Sequence, residues 1–273
     1  MGPLLALASA VCYGIVDFTG GLLSRRAHFA AVTFLGQVGG LLLATAAALL
    51  LPAEAVRPVD LLWGALSGVG SGAAMHFLNR GLSHGAMSVI VPVSAVTGVG
   101  LSVVCGVLLG DRPTAVAWLG IALSVPALWM VCGGGADGGS GVPDGLLASA
   151  GVALQYIALA QAGSSSGLWP VAAGRVAAVL VLLPAAARNP RRLCLPPVRA
   201  VQALLVGAGA ALGLLLYLLA AQRQLLAVAV VLASLYPALP VILGLALLHE
   251  RLSRQQVVGL AGAGVATVLL SLG

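Results

Sequence analysis

Apolar blocks separated by short polar connections run the length of this 273-residue chain. A helix crossing the hydrocarbon core of a bilayer needs about 20 mostly apolar residues, so breaks in hydropathy count the helices. Ten segments are predicted, at 3–23, 29–51, 60–80, 85–109, 114–132, 143–163, 168–187, 199–220, 226–248 and 255–272. The connections carry Ser24-Arg25-Arg26, Glu54 with Arg57-Pro58, Arg80 with His84, Asp111-Arg112-Pro113, and the stretch from Arg188 to Arg199. A transmembrane β-barrel is excluded, because its strands would be about ten residues of alternating character. The expected class is an all-α polytopic membrane protein.

The chain carries its structural unit twice. Asp111-Arg112 recurs as Glu250-Arg251, 139 positions later, and at that offset Val89 meets Val228, Val91 meets Val230, Leu108 meets Leu247, Gly120 meets Gly259, Ala122 meets Ala261 and Ala127 meets Ala266. The repeats are placed at 1–132 and 143–273, joined by a glycine-rich linker at 133–142. Five helices are an odd number, so the second copy must enter the membrane from the opposite side. The two charged pairs stand at segment ends, where an acid-base pair sits in the interface at little cost, and they set the register of the halves.

Composition agrees with a bilayer as solvent. Hydrophobic residues make up 60% and charged residues 7%, with a mean hydropathy of +1.11, against roughly 25% charge in soluble domains. The thirteen basic residues are all arginine. They are concentrated between apolar blocks rather than on a basic face with aromatic neighbours, which argues against nucleic-acid binding. Connections after segments one, three, five, seven and nine hold nine arginines with their flanks and the others three, which favours a cytoplasmic position for the first set and external termini. Cys12, Cys105, Cys132 and Cys194 stand singly and suggest neither disulfides nor metal ligands. Leu4 to Val11, which contains the cleavage-site-like Ala8-Ser9-Ala10, lacks the preceding positive charge of a signal peptide and is expected to remain as the first helix.

Ionisable groups inside spans are costly and mark candidate sites. Asp17, two thirds along segment one, is either a carboxyl poised to gain and lose protons or a structural acid paired to Arg25, Arg26 or a neighbouring helix. Arg175 lies deep in segment seven, and Gln37 occupies the corresponding point of segment two, 138 positions earlier. An intramembrane guanidinium needs an anion, carbonyls or water; Asp17 and a carboxylate on a solute are both candidate partners. Gln155 and Tyr156 stand opposite Asp17 in the second repeat. His76 and Asn79 share a face of segment three, with Tyr217 at the same depth on segment eight, and His76 is a candidate proton carrier. Helix bends or breaks are expected at Pro92, Pro126, Pro237 and Pro240, with Tyr236-Pro237 presenting a ring and loosened backbone to the interior. Trp169-Pro170 suits an interfacial anchor. Glycine pairs at helix-contact spacing, such as Gly36 with Gly40 and Gly64 with Gly68 and Gly72, should let helices approach closely.

Ala233-Ser234-Leu235-Tyr236-Pro237, then Leu247-Leu248-His249-Glu250-Arg251-Leu252 and Val258-Gly259-Leu260-Ala261-Gly262, resemble the closing signature of EamA-type transporters of the drug/metabolite transporter superfamily. A weaker version stands in Gly110-Asp111-Arg112-Pro113 and Leu119-Gly120-Ile121-Ala122, and Tyr13-Gly14 with Asp17-Phe18 is similar to the family's first helix. The resemblance implies ten helices as two inverted five-helix repeats that export or import metabolites, amino acids or drugs without a cofactor. Asp111 stands where glutamate is usual, and Thr97-Gly98 stands where the second repeat has Tyr236-Pro237.

A secondary transporter working by alternating access follows, with no nucleotide-binding signature, with solute and protons as candidate partners, and with a monomer sufficient in principle. The expected location is the cell membrane, of the bacterial inner or plasma membrane kind. A non-transporting scaffold or lipid-organising protein is the alternative, and an intramembrane enzyme a more distant one. Gly163-Ser164-Ser165-Ser166-Gly167 invites a serine-hydrolase reading, but no histidine lies in a second-repeat span, and no HExxH or Cys/His cluster suggests a metal.

Overall fold

Inside a bilayer every backbone N–H and C=O must be satisfied within the protein, and a helix supplies those partners within one segment. The computed structural model describes residues 2–108, 114–133, 141–188, 193–221 and 236–272. Among them stand ten α-helices and no strand: α1 (Gly2–Arg26), α2 (Phe29–Leu50), α3 (Pro58–His84), α4 (Met87–Leu108), α5 (Ala115–Gly133), α6 (Val142–Ala160), α7 (Trp169–Arg188), α8 (Pro197–Ala221), α9 (Ala238–Leu247) and α10 (Arg254–Leu272). Five of them, in α1, α2, α3, α6 and α8, are long and apolar enough to cross a membrane by length and composition. Outward-facing Leu42, Leu49, Leu62, Trp129 and Leu205 are exposed, so the bundle is apolar outside as well as in, as a lipid-facing helix requires. Asp111-Arg112, most of the glycine-rich linker and the first part of predicted segment nine lie outside the described residues.

Local chemistry accounts for several boundaries. The ring nitrogen Nδ1 of His28 accepts from Ala30 N–H at 3.3 Å and caps α2, while Pro58 opens α3 where a missing N–H costs nothing. Gly141 precedes α6 at φ 89°, and a Cβ there would run into Ile90 and the Gly81 carbonyl, so glycine is required twice over. The expected break at Pro92 does not occur: α4 runs through it, as α5 runs through Pro126. A proline removes one N–H and displaces one carbonyl, which neighbouring groups in a packed bundle can absorb. Pro237 differs, standing at the N-terminal edge of α9 after a turn at Tyr236.

The halves interleave rather than stand side by side. Helix α3 packs on α6 and α7, and its counterpart α8 packs on α1 and α2. Helix α4 meets α6 as α9 meets α1, while α2 with α7, α4 with α9 and α5 with α10 join counterparts directly. Glycines permit this closeness. A Cβ at Gly68 would strike the Gly174 backbone, and a Cβ at Gly207 would strike Gly36; these two crossings are the same crossing in the 138/139 register. Likewise Gly120 rests on Ala266 and Leu270, and Gly259 on Ala127 and Val131. Small residues thus drive association where the hydrophobic effect cannot act between helices in lipid.

Hydrogen bonds also tie the connections to one another. Asp60 Oδ1 accepts from Gly163 N–H at 2.9 Å and Oδ2 from the Ser166 hydroxyl at 2.6 Å, and Ala55 N–H donates to Ser165 O at 3.1 Å. These bonds join the α2–α3 connection to the α6–α7 turn. Elsewhere Arg199 donates to Arg26 O at 2.8 Å, and Asp144 meets Arg80 at 3.6 Å and His84 at 3.2 Å. Glu250 Oε1 accepts from Met87 N–H at 2.9 Å and Oε2 from Ser88 N–H at 3.0 Å, while Arg25 reaches Glu250 Oε1 at 3.3 Å, Leu82 O at 3.1 Å and Gly85 O at 2.7 Å.

The acid of the Glu250-Arg251 pair is therefore more than a boundary marker. It caps the N-terminus of α4 across the two halves, where an anion is favoured, and its cation is Arg25 while Arg251 is exposed. His249 turns the chain toward this cap at φ 55°.

Candidate functional site

Two helices that correspond in the register, α2 and α7, cross where both carry a polar residue. Gly36 and Gly174 let the backbones of α8 and α3 close in on either side, leaving Gln37 and Arg175 buried at 2% and 6% exposure. Arg175 Nη1 donates to Gln37 Oε1 at 2.9 Å and to the Ser71 hydroxyl at 3.4 Å. Residues at equivalent points of the two halves are thus bonded to each other. The expectation that Asp17 could be the partner of Arg175 is not met, since no ion pair to Arg175 exists among the described residues.

Beside the guanidinium lies a cavity of about 10 Å³, lined by Ser67, Ser71, Gln155, Leu159, Val171 and Leu214 among others. That is space for about one water molecule. One wall is polar, from hydroxyls and an amide, and the other is apolar.

Asp17 is buried on α1 at 8% exposure and makes no hydrogen bond or ion pair with any described residue. The structural alternative of a pair with Arg25 fails because Arg25 is turned to Glu250 and two carbonyls. Around Asp17, within electrostatic range, stand the phenols of Tyr13, Tyr156 and Tyr236. Tyr13 and Tyr236 have ring centroids 6.0 Å apart, and Gly14 lets α1 press against the Tyr236 carbonyl. Tyr13 also lies within electrostatic range of Arg175. Tyr156 is 44% exposed although it stands in this cluster, and its neighbour Gln155 lines the Arg175 cavity.

The structure therefore gathers Asp17, Gln37, Gln155, Tyr156, Arg175 and Tyr236, and leaves His76 apart. His76 packs edge-on against Phe29, with centroids 5.2 Å apart, and against Phe77. Asn79, on the same helix face, donates to Thr33 Oγ1 at 3.0 Å between α3 and α2. Sequence reasoning missed Tyr13, Ser67 and Ser71 at the site. Their signal was positional: Ser67 and Ser71 are one helical turn apart and flank Gly68, and Tyr13 is one turn before Asp17. Ser166, in the serine run, is fully buried and held by Asp60 rather than by a histidine. Among the described residues no cluster of three His, Cys, Asp or Glu could hold a metal.

A family model described as the EamA-like transporter family matches residues 1–133 and again 140–272. No curated protein matches the chain.

Proposed function

The chain belongs to the EamA-like transporter family, and on that premise we propose that it is an alternating-access secondary transporter of a small metabolite, amino acid or drug-like solute, with proton-coupled export as its mode. Membership makes it an integral multi-pass membrane protein. The single observation that carries the mechanistic reading is the bond between Arg175 and Gln37. In two halves related by a two-fold axis, a residue meets its own counterpart only on the axis. In inverted-repeat transporters that axis lies in the membrane plane, where solute sites are built.

All ten helices are read as spanning, and the ties between connections support this. Each joins an odd-numbered connection or its flank to another odd one, as Arg25 to Glu250 and Arg199 to Arg26, or an even one to an even one, as Asp60 to Gly163. Helices that cross alternately leave all odd connections on one side. The arginine count then puts that side in the cytoplasm and both termini outside, in a bacterial inner or plasma membrane.

Two closures follow. Glu250 with Arg25 shuts the odd side, and Asp60 with Ser166 and Gly163 shuts the even side; both are formed together, so this arrangement is read as occluded. Rocking of the interleaved halves would release one closure while keeping the other. Asp17, without a fixed counter-charge among the described residues, is the proton-exchanging group. A scaffold would have no use for polar groups gathered in this way.

Proteoliposomes tracking internal pH across a panel of amino acids and amphiphilic amines test the proposal. Solute flux coupled to proton flux is the expected result, and absence of flux for every member would refute it.

A further inference from the structure

We infer that the transported solute carries a carboxylate and that Arg175 is the group that receives it; the inference rests on the transporter reading above. A guanidinium has five N–H donors and cannot be neutralised by losing a proton. Arg175 spends Nη1 on Gln37 and Ser71, and Nε and Nη2 have no acceptor among the described residues. The chain holds seven acidic residues. Asp60 is held by Ser166 and Gly163, Asp144 by Arg80 and His84, and Glu250 by Arg25 and α4. Glu54 is exposed in a connection, and Asp17 makes no ion pair. Asp111 and Asp137, outside the described residues, belong by sequence to the α4–α5 connection and the glycine run.

Among the described residues no acid is thus placed to neutralise a cation buried at the crossing of the two halves. A buried charge calls for a paired, hydrogen-bonded anion, and the remaining donors suit the two oxygens of a planar carboxylate. The cavity adds hydroxyl and amide donors from Ser67, Ser71 and Gln155, while Leu159, Val171 and Leu214 offer an apolar wall to the body of a small acid. A cationic solute would meet like charge. Room for only about one water means that a bound acid would separate α2 from α7 locally, replacing the Gln37 contact with its own.

The test is equilibrium binding to the purified full chain in nanodiscs, followed by thermal shift, with amino acids and N-acetyl amino acids each set beside its carboxamide, and with sodium chloride alone. At least one acid should bind while its amide does not. Arg175→Gln should weaken that binding at least tenfold and Arg175→Lys by less. Gln37→Glu, which tethers a carboxylate against the guanidinium and so competes with the acid, should abolish acid binding with a melting temperature no lower than that of the unaltered chain. This variant keeps the inference testable if Arg175→Gln fails to fold. Equal binding of acid and amide, undiminished binding in either variant, no acid bound, or an effect reproduced by chloride alone would overturn it. Uptake into proteoliposomes separates the two readings. Amides or amines carried equally by the unaltered chain and Arg175→Gln would sink this inference and keep the transporter, whereas acids bound but never carried would sink the transporter reading.

Discussion

Arg175 donates to Gln37 across 2.9 Å, and the two occupy the same point of their respective halves. Sequence register placed them as counterparts; the fold makes them partners. Replacing Gln37 by Leu keeps the volume but removes the acceptor of a buried charged donor. Leaving such a donor unmatched costs about 1–3 kcal/mol, so Gln37→Leu should lower thermal stability in detergent clearly. Ser71→Ala, which removes a contact of 3.4 Å, should cost less, about 1 kcal/mol or below.

Asp17 carries the coupling expectation. In Asp17→Asn the side chain keeps its shape and loses its exchangeable charge. Solute exchange down a gradient should persist, while accumulation driven by a proton gradient and the pH dependence of uptake should vanish. Uptake measured at several pH values, with and without an imposed gradient, checks this; full coupling in the variant would remove Asp17 from the mechanism.

Glu250 both caps α4 and holds Arg25. Loss of a helix cap costs about 0.5–2 kcal/mol, so Glu250→Ala should destabilise by that order and expose the odd-side closure. A thiol introduced at Ser88 should react faster with a membrane-impermeant maleimide in this background than in the unaltered one.

Helix contact at backbone distance sets a steric limit. Gly207→Val would drive a side chain into the Gly36 backbone. Overpacking costs about 1–3 kcal/mol, and more where the neighbour cannot yield. Gly264→Ala meets nothing within contact distance and should be neutral. Yield of monodisperse protein compares the two.

The ten helices among the described residues were legible as apolar runs, and the register shows in Gly120 and Gly259, each of which rests on the residue that corresponds to the other's neighbour. Asp17, Gln37, Gln155 and Arg175 stood out as candidate positions from depth and register. What sequence could not supply was pairing. Arg175 binds an amide where an acid was the obvious guess. Glu250 meets backbone donors of Met87 and Ser88, 163 and 162 positions away, and backbone donors leave no mark in a residue pattern. Asp60 was overlooked because an acid after Pro58 in a first turn reads as an ordinary helix start. The break at Pro92 failed because proline removes a single bond from an otherwise supported helix.

Alternating access about the Gln37–Arg175 contact is tested most directly by locking each end in turn. In a chain freed of its four native cysteines, thiols at Ser88 and Glu250 lock the odd side and thiols at Asp60 and Gly163 the even side, each joined by a reducible bifunctional reagent. Either lock should abolish solute flux in proteoliposomes, with recovery on reduction. Flux that continues with one lock complete would contradict alternating access.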